Sequence, residues 1–297
     1  MHRVLPALAL AGVLAVLAAG CAAAPGSAPA HRKPPARYYL ALGDSLAQGV
    51  QPDASGTSVE TQRGYADQLY ATLRRSHPGL RLVKLGCPGE TTATMINGGI
   101  CRYPGGSQLA AAGRFLRAHR ARVSLVTIDI GANDPDSCII MPSASKLMAC
   151  VGRFVPNATA NLDTILTRLR QADRKARIVA MSYYLPVLAQ WRQGTAGRAL
   201  ARLSVPVAAG YNTLLSRVYR AYGVRVADVF GAFHTSDFGQ QVTVPGFGRL
   251  PRNVAAICRW TWECAAPPRG PNEHANQAGY QVIARAFLAA GALGMSQ

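Results

Sequence analysis

Five short apolar runs recur along the chain: Tyr38–Leu42, Leu82–Leu85, Val123–Ile130, Ile178–Ser182 and Val224–Val229. Each is apolar at nearly every position instead of alternating, the pattern of strands covered on both faces. Helical periodicity fills the stretches between them. Residues 64–76 place Tyr65, Leu69 and Leu73 on one face, 107–120 place Leu109, Phe115 and Leu116, and 157–172 place Leu162, Ile165, Leu166 and Leu169. Residues 205–222 and 277–291 follow the same spacing. Strand and helix in alternation predict an α/β chain, with a five-stranded parallel sheet between two helical layers, a three-layer α/β/α sandwich with right-handed crossovers. No internal repeat and no linker interrupts residues 37–297, which are expected to form one domain. The stretches 183–204 and 231–270 are rich in Gly, Pro, Trp and Arg. They are expected to be irregular and to wall a cleft.

In such a sheet, ligands bind beyond the carboxyl ends of the strands. Ser45 follows the first apolar run, Gly89 the second and Asn133 the third. His274, in Pro271-Asn272-Glu273-His274-Ala275-Asn276, lies just before the last helix and can reach the same rim. A serine hydroxyl becomes a useful nucleophile when a base takes its proton, and His274 is the best-placed base. His2 and His31 lie in the N-terminal segment. His77 and His119 fall at the ends of predicted helices and are expected to be solvated. His234, in an irregular stretch, is the rival. Acyl transfer also needs donors for an oxyanion, and the N–H groups of Ser45 and Gly89 and the Asn133 amide fit that need. Singly, each has a plain structural reading: Gly89 and Gly131 as turn glycines, Asp44 and Asn133-Asp134 as helix caps. Their joint placement after successive strands favours a site.

The balance of 32 Lys+Arg against 14 Asp+Glu gives a net charge of +18. Such a charge suits nucleic acid, an anionic lipid surface or a cell-wall polymer. The basic residues form no run of five or six, and aromatics are 7% of the chain. Nucleic acid is therefore not an expected partner. The Arg, Ala and Gly bias is read as the imprint of a GC-rich genome rather than a dedicated anion site. His2-Arg3, an apolar run from Val4 to Ala19 and small residues before Cys21 form a secretory signal over residues 1–20. Leu17-Ala18-Ala19-Gly20-Cys21 resembles a bacterial lipobox, which predicts lipidation of Cys21 and attachment to the outer leaflet of the membrane. The alternative is an ordinary signal cleaved near Ala24, giving a fully secreted protein. Residues 21–36 read as a flexible tether. Six further cysteines remain, an even number in an exported chain. Proximity predicts Cys87–Cys101, Cys138–Cys150 and Cys258–Cys264. No Cys-x-x-Cys occurs, so no metal site is expected.

Gly43-Asp44-Ser45-Leu46, Gly86-Cys87-Pro88-Gly89-Glu90-Thr91, Gly131-Ala132-Asn133-Asp134, and His274 with Asn276 and Gly279-Tyr280 resemble the four blocks of the GDSL or SGNH hydrolases. They stand in the family's order over nearly the whole mature chain. The resemblance implies the flavodoxin-like α/β/α fold of that family, Ser45 as nucleophile, His274 as base, and Ser45, Gly89 and Asn133 as the oxyanion hole. The three sequential cysteine pairs look like those of secreted actinobacterial lipases and esterases in the family. Gly-x-Ser-x-Gly, the elbow of the larger α/β hydrolases, is absent around Ser45.

One position departs from the pattern. The family often has Asp three residues before the base, and here that residue is Pro271. A backbone carbonyl near Pro271 is expected to take the Nδ1 hydrogen bond, leaving a Ser45–His274 dyad. Glu273 is expected to point away, with Asp228 or Asp237 as other approaches. The family also often carries Asn near Lys84. The expected activity is hydrolysis of carboxylic esters through an acyl-enzyme, without cofactor, by a monomer at the cell surface. Lipid esters are the expected substrates, with Tyr183–Leu188 or Trp260 and Trp262 as pocket walls. Sugar-O-acyl groups of the cell wall, or a surface-anchored binding protein that keeps the fold without the chemistry, are the alternatives.

Overall fold

The computed structural model describes residues 1–2, 36–135 and 144–292. Residues 3–35, which include Cys21 and nearly all of the leader and tether, and residue Cys138 lie outside the described residues. Five strands make the central sheet: β1 (Arg37–Gly43), β2 (Leu80–Lys84), β3 (Val123–Asp129), β4 (Ile178–Met181) and β5 (Arg225–Ala227). They pair in the order β2-β1-β3-β4-β5, all parallel. That is the flavodoxin-like doubly wound order, whose switch point lies between β1 and β3.

Every β1 position from Tyr39 to Leu42 is fully buried, as are Leu125, Val126 and Ile128 of β3. Burial of each large side chain contributes about 1.5–3 kcal/mol. Tyr39 survives in this layer because its hydroxyl meets Thr127 Oγ1 at 2.9 Å, so that hydroxyl is not buried unpaired. The helices are α1 (Ser45–Gln48), α2 (Tyr65–Ser76), α3 (Thr92–Asn97), α4 (Gln108–Ala118), α5 (Ala144–Ala172), α6 (Gly194–Ala221), α7 (Val229–Ala232), α8 (Arg252–Trp260) and α9 (Gln277–Phe287). Tyr65, Leu69 and Leu73 of α2, and Leu162, Ile165, Leu166 and Leu169 of α5, are buried in the core.

Two stretches expected to be irregular are ordered. A 3-10 turn spans Pro186–Arg192, and α6 begins at Gly194, well before residue 205. The Ala, Arg and Leu of residues 196–203 are strong helix formers, and the neighbouring glycines hid their period. Residues 231–270 hold a hairpin, Gln241–Val244 paired with Gly248–Pro251, followed by α8. Likewise α5 begins at Ala144 and carries Pro156 inside it, whereas the periodicity was apparent only from 157. Tyr183, Tyr184 and Leu188, weighed as a pocket wall, are buried in the core. His77 and His119 are helix C-caps, and His119 is packed against Tyr38 and Phe115 rather than solvated. Disulfides join Cys87 to Cys101 and Cys258 to Cys264. Cys150 is also disulfide-bonded.

Candidate active site

The site begins where β1 ends. Gly43 has φ +131°, and a Cβ there would sit 2.0 Å from the Asp129 carbonyl oxygen, so no other residue fits. Asp44 caps α1 by accepting from the Leu46 N–H at 2.9 Å. Ser45 is therefore the first residue of a helix, where N–H groups lack intrahelical partners. It is 9% exposed.

The turn is held from below. The Asp129 carboxylate accepts from the Ala47 N–H (3.1 Å) and from the Tyr65 hydroxyl. Burial, and then the Asp44 carboxylate beside it, push Asp129 well above the usual carboxylate range. Gln108, fully buried on α4, accepts from the Gly43 N–H (2.7 Å) and donates to the Gly43 carbonyl (2.8 Å) and the Glu90 carboxylate (2.9 Å). Neither role was visible in the sequence, because both partners lie more than sixty residues away in the chain.

The second loop packs onto the first. Cys87 N–H donates to the Gly43 carbonyl at 3.0 Å, and Gln48 Nε2 to the Gly86 carbonyl at 2.6 Å. Gly89 has φ +81°, and no heavy atom lies within 4 Å of where its Cβ would be. Backbone conformation, not crowding, demands glycine there. The third loop is laced to the second. Asn133 Nδ2 donates to the Glu90 carbonyl at 2.8 Å, leaving its other amide hydrogen for a ligand. Asp134 accepts from both the N–H and the hydroxyl of Thr92, at 2.9 and 2.5 Å. Hydrogen bonds thus gather the loops carrying Ser45, Gly89 and Asn133. Lys84, where the family often has Asn, ties the carbonyls of Gln48 and Thr61 to Asp67.

His274 arrives by a different route, on the loop before α9. Tyr280 of α9 donates to the Val50 carbonyl at 2.8 Å, and the Val50 N–H donates to the Ser45 carbonyl at 3.0 Å. His274 is 9% exposed. Its Nδ1 lies 2.9 Å from Asn272 Oδ1, and its own backbone N–H donates to the same oxygen at 3.1 Å. A backbone N–H can only donate, so that amide atom is an acceptor. Nδ1 must then carry the proton, and Nε2 is left as the basic nitrogen. Asn272 Nδ2 in turn donates to Ser58 Oγ at 3.0 Å, which fixes the amide.

The expected backbone carbonyl is thus replaced by a side-chain amide. A short asparagine two residues before the base folds back onto it as an Asx turn does. Glu273 does not point away either, since Oε1 lies 3.6 Å from Nδ1 with its carboxylate mostly solvated. Burial lowers the His274 pKa below the ordinary histidine value, with the Glu273 charge opposing. Asp228 caps α7 at the Gly231 N–H, and Asp237 pairs with Arg252. His234 sits beside the Trp260 ring, 5.9 Å between centroids. Trp260 packs edge-on against Phe233, and the backbone N–H of Trp262 donates to the His274 carbonyl at 3.0 Å. Among the described residues, no three His, Cys, Asp or Glu side chains are grouped to hold a metal.

A serine at a helix start, donors on two adjoining loops and an unprotonated imidazole nitrogen are the components of acyl transfer. The model of the GDSL-like lipase/acylhydrolase family matches residues 41–282. No curated protein sequence matches. Among solved structures, the fold is similar to an extracellular lipase from Streptomyces rimosus at 19% identity, covering 86% of this chain and all of that one, with a TM-score of 0.57. It is also similar to a phospholipase A1 from Streptomyces albidoflavus at 20% identity, again 86% and 100%, with a TM-score of 0.53. A lipase from a goat rumen metagenome gives 16% identity, 88% and 100% coverage, and a TM-score of 0.52. The chain belongs to the GDSL-like lipase/acylhydrolase family and is a hydrolase of carboxylic esters.

Proposed function

We propose that Ser45 is the nucleophile and His274 the base of a two-step ester hydrolysis. His274 Nε2 takes the Ser45 hydroxyl proton as Oγ adds to the ester carbonyl. The N–H groups of Ser45 and Gly89 and the Asn133 amide stabilise the oxyanion, each donor contributing about a hundredfold or more in rate. Collapse transfers the proton from Nε2 to the leaving alcohol and leaves an acyl-enzyme. Water, deprotonated by the same nitrogen, then releases the acid and restores Ser45. Asn272 orients the ring and holds the reactive tautomer.

The observation that carries this reading is the Asn272 contact. One oxygen accepting from both His274 N–H groups leaves Nε2 free to act as base. Lipid esters are the favoured substrates, at a cell-surface location with Cys21 as the anchor. Two disulfides in the described chain support an exported protein. An ester panel of rising acyl length, run beside acetylated sugars, tests the substrate class. Fluorophosphonate labelling that persists in Ser45→Ala, or activity on no ester, would overturn the proposal.

A further inference from the structure

Ester hydrolysis makes no use of the net charge of +18. Three arginines that lie apart in the sequence, Arg192, Arg198 and Arg202, are brought by the fold onto one aromatic cluster. Trp191 lies near the end of the 3-10 turn, and its ring stacks on Phe238 at 5.2 Å. The Arg202 guanidinium lies over both rings, 4.9 Å from Trp191 and 5.0 Å from Phe238. Arg198, one helical turn earlier, lies 5.7 Å over Trp191, and Arg192 lies 4.3 Å over Phe247 of the hairpin. The three arginines are exposed and the three rings half-buried. Among the described residues, no ion pair reaches any of the three arginines. Ring stacking holds a guanidinium in place while its in-plane N–H donors stay available to an outside partner.

The face lies on the rim used for chemistry. Its 3-10 turn begins five residues past Met181, the carboxyl end of β4. Helix α8 packs against that turn. The same helix ends at Trp260, whose carbonyl accepts from the Asn276 N–H at 2.9 Å, two residues from His274.

We propose that this arginine–aromatic face docks the protein on an anionic lipid surface, with the guanidinium groups on headgroup phosphates. Arginine forks match phosphate geometry bidentately. Tryptophan and other amphipathic rings settle at the level of the headgroups, which an anionic polymer would not require. Docking is independent of turnover, so it stands or falls apart from the ester reading.

The test uses the full chain with Cys21→Ser, to remove any acyl anchor, and Ser45→Ala, to prevent turnover. Vesicle sedimentation compares phosphatidylcholine alone with an equal mixture of phosphatidylcholine and phosphatidylglycerol. Binding to the mixed vesicles alone is expected. Arg192→Gln/Arg198→Gln/Arg202→Gln should lower the partition coefficient about a hundredfold, each charge near an anionic surface giving close to a factor of five. Arg74, Arg75 and Arg81 changed to Gln remove the same charge at the amino-end edge of the sheet and should cost less than about threefold. Lys at 192, 198 and 202 should keep most of the binding, which separates lost charge from disturbed packing. Equal losses in the two Gln variants, equal binding to phosphatidylcholine alone, or binding to polyglutamate but not to vesicles would overturn the proposal.

Discussion

Replacing Asn272 by alanine removes the single oxygen that accepts from His274 Nδ1 at 2.9 Å and from the His274 backbone N–H at 3.1 Å. A neutral hydrogen bond contributes about 1 kcal/mol net, so losing the Nδ1 bond alone lowers the rate about fivefold. Losing the tautomer is worse. In a serine triad the wrong imidazole tautomer costs up to about ten-thousandfold. Here the Glu273 carboxylate, 3.6 Å from Nδ1, remains as a fallback acceptor. The expected fall in kcat for Asn272→Ala is therefore about ten- to a hundredfold, with KM nearly unchanged. Asn272→Asp gives the informative contrast, because it keeps the acceptor and adds a charge. Charge-assisted hydrogen bonds are about twice as strong as neutral ones, and the gain falls on the imidazolium.

The sign follows from the base mechanism. In the proposed mechanism activity needs neutral His274, so the rate is expected to fall as pH drops through its pKa. Burial places that limb below the ordinary histidine value of about 6.5 in the parent. Asn272→Asp should move the limb up by about one pH unit, at 1.36 kcal/mol per unit, while retaining kcat at pH 8. The assay is kcat and kcat/KM for a soluble short-chain ester from pH 4 to 9. Unchanged turnover in Asn272→Ala, or an acid limb that stays put in Asn272→Asp, would refute the assignment of Asn272 as the residue that orients the base.

Three further outcomes are expected. Gly89→Ala forces a side chain into φ +81°, at about 1–2 kcal/mol; relaxation turns the N–H away, so kcat should fall about a hundredfold, and an unchanged kcat removes Gly89 from the oxyanion hole. Replacing Cys87 and Cys101 by serine opens a loop with a sequence separation of 14, and should lower unfolding free energy in urea by about 3 kcal/mol; an unchanged midpoint contradicts this. Burial, and then the Glu273 charge, push the Glu263 carboxyl up to about 7, so the native state holds this proton to higher pH than the unfolded chain, where the pKa is about 4.3. Stability is then lost as pH rises between those values, and Glu263→Gln should be more stable than the parent by about 1 kcal/mol at pH 8, after allowance for solvent screening, but not at pH 4; the same difference at both pH values refutes this.

The sheet was legible from sequence because strands buried on both faces must be apolar at nearly every position, and that pattern is local. Leu40, Val126 and Val179 announce their strands for that reason. The turn that carries Ser45 was legible too, since Gly43 and Asp44 act through local backbone geometry, a positive φ and a cap. What the sequence alone could not determine depends on distant residues meeting. Gln108 and Asp129 grip the Gly43–Ala47 turn across the fold, and nothing in their own neighbourhoods marks them. The first turns of helix α6, residues 194–204, were hidden because alanine- and arginine-rich segments carry propensity without an apolar period. The sequence pattern points to a carbonyl near Pro271 as the partner of His274, yet Asn272 supplies it, because Ser58 holds the amide with its oxygen toward the ring. The arginines at 192, 198 and 202 belong together only once Trp191, Phe238 and Phe247 are brought beneath them. Local sequence set the elements and the chemistry at hand, while the tertiary structure decided which groups face each other, because a hydrogen bond or a stacked ring requires contact that no spacing along the chain encodes.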